Sequence, residues 1–507
     1  MSQSAAQAVL EQLAQAGVRP TGVSADSRQT QPGDLFLGWA GHVTDGRRFL
    51  AGAAERGACA LLWDDSDGFR YTPPAGVVGF GVPRLRELAG WLAHEIYGRP
   101  SERLWIAGVT GTNGKTTVSQ WLAIALNALE TRTGVIGTLG MGWPEAKLNE
   151  SANTTPVAPE LHRFLAKLHS EGAHAVAMEV SSIGQCEGRV NGVQFDLAIF
   201  TNLTRDHLDY HGDMQTYAQA KSDLFALVKN GWAVINVDDP FGLQEARRLA
   251  LIGRQVVAYS CAEDAPEVPE ALMLRAANIR GLATGLKFDV HWLGQQGTVR
   301  VSMVAPFNVS NLLAVLGALL ARGVAFDAAL GVLAKLQPPQ GRMQLVGGVG
   351  EPLVVIDYAH SPDALENALR ALQPTAKMRD GKLVCVFGCG GDRDRGKRPM
   401  MGQIAVREAD EVWITSDNPR FEAPDSIIAD IVEGAGQTVR IESDRAAAIQ
   451  NVIVGANAND VIVLAGKGHE PYQEISGVRL PFSDFEQAHR ALTIRHMQTT
   501  SEEGEAS

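Results

Sequence analysis

The stretch Val109-Thr110-Gly111-Thr112-Asn113-Gly114-Lys115-Thr116-Thr117 constrains this chain more than any other. An apolar run, Leu104 to Ala107, precedes it, and a helical pattern, Val118 to Leu129, follows it. It therefore lies at a strand-to-helix junction, the building unit of an α/β fold. The backbone N–H groups of such a glycine-rich turn, backed by a helix N-terminus, form a cradle for phosphate oxygens. Lys115 adds a point charge for the β- and γ-phosphates, and Thr116 a hydroxyl for Mg²⁺. The loop predicts ATP binding through Gly111, Thr112, Asn113, Gly114, Lys115, Thr116 and Thr117. One detail departs from the usual spacing: position 109, where a first glycine is common, is Val, and the nearest glycine is Gly108.

A chain of 507 residues suggests about three domains at roughly 150 residues each. Its 45 basic and 57 acidic side chains, a net charge of −12, argue against nucleic acid as the main partner. The cysteines (Cys59, Cys186, Cys261, Cys385 and Cys389) show no close-spaced metal or redox pattern, and their mostly apolar surroundings predict buried free thiols, as suits a reducing cytoplasm. Met1 to Gly17 reads as an amphipathic helix without a basic start or an apolar signal core. The longest apolar run, Leu312 to Ala321, is far short of the roughly 20 residues that span a bilayer. A cytoplasmic protein without membrane segments is the expectation.

Turn-rich Tyr97 to Ser101 and the proline stop at Pro338-Pro339 divide the chain into segments 1–100, 101–338 and 339–497, followed by a small acidic tail, 498–507, expected to be disordered. In the middle segment, strand-like runs at Ala175 to Val180, Leu197 to Thr201 and Ala233 to Val237 alternate with helices, which implies a mostly parallel sheet. Between about Leu274 and Val304 period-two alternation with glycine turns predicts a small antiparallel insert. The third segment repeats the α/β logic with strands at Leu353 to Asp357, Leu383 to Phe387, Glu411 to Thr415 and Val461 to Leu464. Ligands of open α/β sheets bind beyond the carboxyl ends of strands. Here those ends carry Asp357 to His360, Gly388 to Arg398, Asp417-Asn418-Pro419-Arg420 and Gly466-Lys467-Gly468-His469-Glu470, which together look like a second substrate site.

Several side chains in the first two-thirds of the chain have chemistry to offer. Glu179 ends an apolar strand and could hold Mg²⁺ opposite Thr116. The loop Thr201 to Gly212 contains His207, His211, Asp206 and Asp209; it is either a metal site or an ordinary polar loop, because Mg²⁺ prefers oxygen ligands. Lys221, in the helical stretch Tyr217 to Leu227, reads on its own as a surface lysine. Asn308 and Asn311 open the next helical stretch as caps or as adenine contacts. Arg342, just past the proline boundary, could reach the ATP phosphates.

Taken together, these motifs resemble the Mur ligase family, over nearly the whole chain from Asp26-Ser27-Arg28 to Gly466-Lys467-Gly468-His469-Glu470. The resemblance rests on Thr110 to Thr117, Asn153-Thr154-Thr155-Pro156, Met178 to Ser182, Thr201 to Gly212, Asp357 to His360 and Gly390 to Pro399, and Val109 matches the family's own form of the loop. It implies a uridine-binding α/β first domain, a central P-loop ATPase domain and a Rossmann-like third domain that closes over ATP during turnover. It also implies a monomeric ATP-dependent ligase that joins an amine to a carboxylate through an acyl phosphate.

The residue roles that follow are carried over from the family. Lys115, Glu179, His207, Lys221 and His360 would be catalytic, with Asn311, Arg342 and Asp357 added to the ATP site. Two Mg²⁺ ions are implied, one at Thr116 and Glu179 and a second near His207 and a Lys221 carbamylated by CO₂. UDP-MurNAc-L-Ala-D-Glu would be bound by Ala25, Ser27, His42, Val43, Thr44, Asn153, Thr154, Thr155, Ser181, Glu187 and Arg189. Two positions depart from the family's usual residues: Ile183 replaces a histidine and Glu187 a glutamine, and an added anion near an anionic substrate is unfavourable unless paired. Asp417-Asn418-Pro419-Arg420 matches the form associated with meso-diaminopimelate. Arg420 and Arg393 are suited to its distal carboxylate, and Glu470 and Asp417 to its ammonium, with Asn418, Pro419 and Gly466 around them. The alternatives are an L-lysine-adding relative, a folylpolyglutamate synthase-like ligase and a P-loop switch ATPase.

Overall fold

The computed structural model describes residues 2–41, 44–282 and 285–505. His42 and Val43 lie outside them. The chain divides into two compact units. The first comprises 1–275, 291–295 and 310–332; the second comprises 276–290, 296–309 and 333–507.

The first unit holds two sheets. Strands β1 (Gly22–Ser24), β2 (Asp34–Gly38), β3 (Ala60–Trp63) and β4 (Val78–Gly81) form a parallel sheet in the order β1-β2-β3-β4. Leu35, Leu37, Ala60 and Leu62 alternate onto one face and meet Ala6, Leu13, Leu88 and Leu92 of helices Gln3–Gln15 and Leu85–Ile96. Ser24 ends β1, so Ala25 and Ser27 leave from a carboxyl end of this sheet.

The second sheet is built on β5 (Trp105–Thr110), β6 (Thr133–Gly137), β7 (Gly140–Gly142), β8 (Ala175–Glu179), β9 (Phe195–Phe200), β10 (Val228–Asn236), β11 (Gln255–Ser260) and the first residues, 272–275, of β12 (Leu272–Leu282). Its order is β12-β11-β10-β9-β5-β8-β6-β7, parallel except at β6–β7. Strands buried on both faces require continuous apolar runs, and Ala175 to Met178 and Leu197 to Phe200 are 1% exposed or less. The helix Lys115–Ala128 begins directly at the glycine loop, and the helix Met214–Leu227 carries Lys221. Asn308 and Asn311 fall within the first turns of the helix Phe307–Ala321, one residue earlier in start than the pattern implied.

Strands β13 (Gly285–Trp292) and β14 (Gln295–Val301) occupy the stretch with period-two alternation, and burial along β13 alternates as that period requires. In the second unit β15 (Gln344–Gly347), β16 (Leu353–Asp357), β17 (Leu383–Phe387), β18 (Glu411–Ile414), β19 (Arg440–Ile441) and β20 (Val461–Ala465) form a sheet in the order β15-β16-β20-β17-β18-β19. Only β15 runs antiparallel. Helices Pro362–Met378, Lys397–Glu408 and Pro424–Ala435 cover one face, and Arg445–Gly455 with the terminal helix covers the other. A hairpin of β21 (Tyr472–Ile475) and β22 (Val478–Pro481) follows.

The last helix of the chain is Asp484–Glu505. One expectation needs correction. Cys186 is exposed at the end of the short helix Ser182–Cys186, and Cys59 and Cys261 are partly exposed; only Cys385 and Cys389 are buried. All five are free thiols.

Candidate active site

The phosphate loop leaves β5 at its carboxyl end. Gly111 and Gly114 take φ of 146° and 87°, conformations that L side chains rarely adopt. A Cβ on Gly114 would stand 2.5 Å from Asn311 Oδ1, so the loop and Asn311 are in close approach. The strand end after β9 braces the loop. Thr112 N donates to Asn202 O (2.8 Å), Asn113 N to Asn202 Oδ1 (2.9 Å), and Thr201 Oγ1 to Asn113 O (2.6 Å). Sequence alone left Thr201 to Gly212 open between a metal site and a polar loop; the first residues of the segment are a structural support for the cradle. Lys115 Nζ donates to the carbonyls of Gly111 (2.9 Å) and Thr112 (2.8 Å), which places its charge over the loop.

Glu179 ends β8 and is 1% exposed. Its Oε2 accepts from Thr116 Oγ1 (3.0 Å) and Thr138 Oγ1 (3.1 Å), and its Oε1 accepts from Thr138 N (2.8 Å). Two hydroxyls and a carboxylate in contact make an all-oxygen donor set of the type a hard divalent cation prefers. Thr138 was not legible as part of this cluster, since it is an unremarked threonine after β6. Among the described residues no group of three or more His, Cys, Asp and Glu side chains could hold a metal.

His207 adopts a left-handed φ of 52° and pairs with Asp206 at 3.4 Å. His211 Nε2 is 2.9 Å from Ser182 Oγ and its ring stands 5.0 Å from that of Tyr217, and the side chain of Asp209 lies outside what is described. Tyr217 organises the neighbourhood. Its hydroxyl is 3.1 Å from Thr112 Oγ1, the His207 ring stands edge-on at 6.2 Å, and Lys221 Nζ lies 4.2 Å from its ring centre. Lys221 is not a surface lysine: it is 1% exposed. Burial, with the nearby charge of Lys115 as a second cause, pushes its amine well below the ordinary lysine value.

Around Thr155 several of the residues expected to follow the peptidyl arm join into one network. Thr155 Oγ1 donates to Glu179 O (3.0 Å) and accepts from Ser181 N (2.9 Å), while Arg189 donates to Thr155 O (2.8 Å). Thr154 Oγ1 lies 3.1 Å from Thr138 Oγ1, which links this network to Glu179. Ser151 Oγ donates to Asn153 O (3.0 Å) and accepts from Asn153 N (3.4 Å), which holds the backbone of Asn153 in a local turn. Glu187 is paired. Its Oε2 accepts from Arg189 Nε (2.8 Å) and Nη2 (2.5 Å), and Arg86 Nη1 stands 3.9 Å from Oε1. These three side chains and Trp39 line a cavity of about 150 Å³. Ile183 is half-buried in the helix Ser182–Cys186, and Thr44 is exposed.

The carboxyl ends of β16, β17, β18 and β20 meet on one rim of the second unit, as parallel neighbours must. Asp417 and Asn418 are buried behind β18. A Cβ on Gly466 (φ 111°) would stand 2.6 Å from Asp417 Oδ2. Asn418 Nδ2 donates to Glu470 Oε2 (2.7 Å). Arg420, at φ 51°, donates from Nη1 to Gly391 O (2.8 Å) and pairs with Glu474 at 3.4 Å. The O of Pro419 abuts Gly391, and Arg393 is exposed beside that turn. A separate aromatic stack forms at the end of β16. Arg342 lies over the Tyr358 ring at 4.8 Å, with His360 at 4.6 Å and His469 at 5.0 Å from it. His360 Nδ1 donates to Tyr358 O (2.8 Å), and Asp357 Oδ2 accepts from Met343 N (2.9 Å). Tyr358 and His469 were not singled out from sequence, because aromatic residues in loops carry no pattern of their own.

Comparison with known proteins finds matches that span nearly the whole chain. Residues 19–97 match a model described as Mur ligase family, catalytic domain; 109–319 match the Mur ligase middle domain; and 341–468 match the Mur ligase, glutamate ligase domain. A UDP-N-acetylmuramoyl-L-alanyl-D-glutamate--2,6-diaminopimelate ligase of Chromobacterium violaceum is 48% identical over 489 residues, 96% of each chain. One of the same description from Pseudomonas aeruginosa is 48% identical over 474 residues, 93% of this chain and 94% of its own. A solved structure of a ligase of that description is 35% identical with a TM-score of 0.67, covering 94% of this chain and 95% of its own. A Mycobacterium tuberculosis folylpolyglutamate synthase, 17% identical with a TM-score of 0.59 over 75% of this chain and 92% of its own, shares the fold.

Proposed function

The chain belongs to the Mur ligase family, and from that premise we propose that it is the ATP-dependent ligase that adds meso-2,6-diaminopimelate to UDP-MurNAc-L-Ala-D-Glu in the cytoplasm. The observation that carries the choice of amino acid is the rim of the second unit. There Asp417, Asn418 and Glu470 sit together beside Arg420. Diaminopimelate carries both a carboxylate and an ammonium at its distal end, whereas lysine carries only the ammonium. A rim that offers a guanidinium as well as carboxylates is complementary to the former.

The chemistry needs no protein nucleophile. The D-glutamyl γ-carboxylate attacks the γ-phosphorus of ATP; an O–P bond forms, the bridging P–O bond to the β-phosphate breaks, and ADP leaves. The amine of the incoming amino acid then attacks the acyl phosphate. A C–N bond forms, the C–O bond to phosphate breaks, and the amine gives up a proton. Positioning and charge neutralisation therefore supply most of the rate. The amides of Gly111 to Thr117 and the ammonium of Lys115 hold the triphosphate. Thr116 and Glu179 would hold Mg²⁺, which supplies neutralisation of the β- and γ-phosphates when bound.

The network of Thr155, Ser181 and Arg189 would carry the peptidyl arm toward Glu179, and Ser27 the uridine diphosphate end. Pairing with Arg189 offsets the charge of Glu187, so the departure at that position is compatible with an anionic substrate. His207 and Lys221 would hold a second Mg²⁺ with Lys221 as its carbamate. Support comes from burial: an amine kept neutral is the form that adds to CO₂, giving a carbamate and a proton. Asn311, Arg342, Asp357 and His360 complete the proposed ATP and catalytic set.

ADP release in the presence of UDP-MurNAc-L-Ala-D-Glu tests the reading. Turnover should be slight without an amino acid, rise with meso-diaminopimelate and stay low with L-lysine. A preference for L-lysine, or equal hydrolysis of ATP without either acceptor, would overturn it.

A further inference from the structure

Lys467 follows β20, and its side chain has no contact with solvent. An ammonium in that position is costly unless its charge and donors are met. Its Nζ donates to Asn418 Oδ1 at 3.0 Å and to Glu470 Oε2 at 3.2 Å, and it faces the Tyr472 ring at 5.8 Å. Asn418, 2% exposed, also accepts on Oδ1 from Glu474 N (2.9 Å) and donates from Nδ2 to Glu470 Oε2 (2.7 Å). Two donors converging on one amide atom require that atom to be the oxygen. Lys467 and the backbone N–H of Glu474 together fix which way the Asn418 amide points, and so direct its NH₂ to Glu470. The outcome at Glu470 is asymmetric. Oε2 receives two donors, and among the described residues no hydrogen bond reaches Oε1.

We propose that Lys467 is a positioning residue of the amino-acid site, clamping one oxygen of Glu470 and the amide of Asn418 so that the second oxygen of Glu470 is presented to the distal ammonium of a diamino acid. The proposal rests on the reading of this rim as the diaminopimelate site. A lysine suits the role because a compact point charge with three donors can serve two acceptors at once, whereas a planar guanidinium would need a different geometry. Lys467 itself touches no substrate. Its effect is on how Glu470 and Asn418 stand.

The test uses the full-length enzyme and two amino acids: meso-diaminopimelate, and 2-aminopimelate, which keeps both carboxylates and the reacting amine but lacks the distal ammonium. Lys467→Met is expected to raise KM for meso-diaminopimelate on the order of 10- to 100-fold, with the KM for ATP changed far less. The preference for meso-diaminopimelate over 2-aminopimelate, as a ratio of kcat/KM, should fall by a similar factor. Loss of a merely structural lysine would weaken both amino acids equally, and that result would overturn the proposal. So would an unchanged preference. Lys467→Gln, which retains a donor, is the second variant and should fall between wild type and Lys467→Met. If neither variant shows a cooperative melt, Lys467 is a core lysine and the proposal fails. Failure of the wild type to use meso-diaminopimelate would instead sink the functional reading beneath it.

Discussion

The amine of Lys221 shows how burial can convert an ordinary side chain into a reactive one. It lies 4.2 Å from the Tyr217 ring centre, away from water, with Lys115 as a neighbouring charge. If it serves as a carbamate, Lys221→Ala should lower kcat by about 100-fold or more, and added formate or acetate should restore part of it. Full activity in the unsupplemented variant would refute that role. A second buried base makes a prediction about stability. His162 is fully buried, its Nε2 is 2.9 Å from Asn191 O, and burial holds its imidazole at about 3, far below the ordinary 6.5. The folded value lies below the unfolded one, so the contribution is complete above about pH 6.5 and is lost as pH falls toward 3. Between pH 7 and 5 the wild type should lose about 2 kcal/mol more than His162→Gln in urea titrations. Identical pH slopes would contradict the assignment. The neighbouring His94, 5.6 Å away ring to ring, is shifted in the same direction by its burial and leaves the variant a residual slope.

Among the elements, the phosphate loop depends on a second segment that sequence reading did not connect to it. Thr201 Oγ1 donates to Asn113 O, which also accepts from Asn202 Nδ2 (3.2 Å), and lies 3.3 Å from Thr110 O, so its removal takes away the shorter of the two side-chain hydrogen bonds on a loop carbonyl. Thr201→Val should weaken ATP binding by about tenfold through the loss of about 1.4 kcal/mol, measured as KM for ATP. An unchanged KM would show that the loop holds its shape without this brace. The glycine loop itself, the helix behind it and the flanking strands were legible because their residue types are obligatory: glycine for positive φ, lysine and threonine for phosphate and cation. Thr138, Tyr217 and Lys467 were not legible. Their importance is in what lies across from them, and no spacing in the chain records that.

At the scale of the whole molecule, each of the two units has a core of its own. The second is tied by a pair with no solvent contact at either partner: Arg445 donates from Nε and Nη2 to both oxygens of Asp484 (2.8 and 2.7 Å), and from Nη2 to Ala465 O. Breaking such a pair leaves a buried charge uncompensated, at a cost of about 3–5 kcal/mol. Arg445→Met should therefore destabilise the sheet of β16, β17 and β20 while the sheet of β5, β8 and β9 keeps its protection, read by amide hydrogen exchange. Equal loss in both sheets would mean that the units unfold as one.

The sequence by itself determined the α/β class, the position of the glycine loop between strand and helix, the polar strand ends of the second unit and the family to which the chain belongs. These follow from local rules: periodicity, glycine at forced conformations, and charged residues where strands end. Only the tertiary structure decided that Lys221 is buried, that Glu187 is paired with Arg189, that His211 reaches Ser182 while its ring and that of His207 both stand against Tyr217, and that Lys467 and the Glu474 amide fix the orientation of Asn418. Each of those outcomes is a balance of desolvation against a partner distant in the chain, and a carboxylate or an ammonium has no fixed chemistry until that partner is in place.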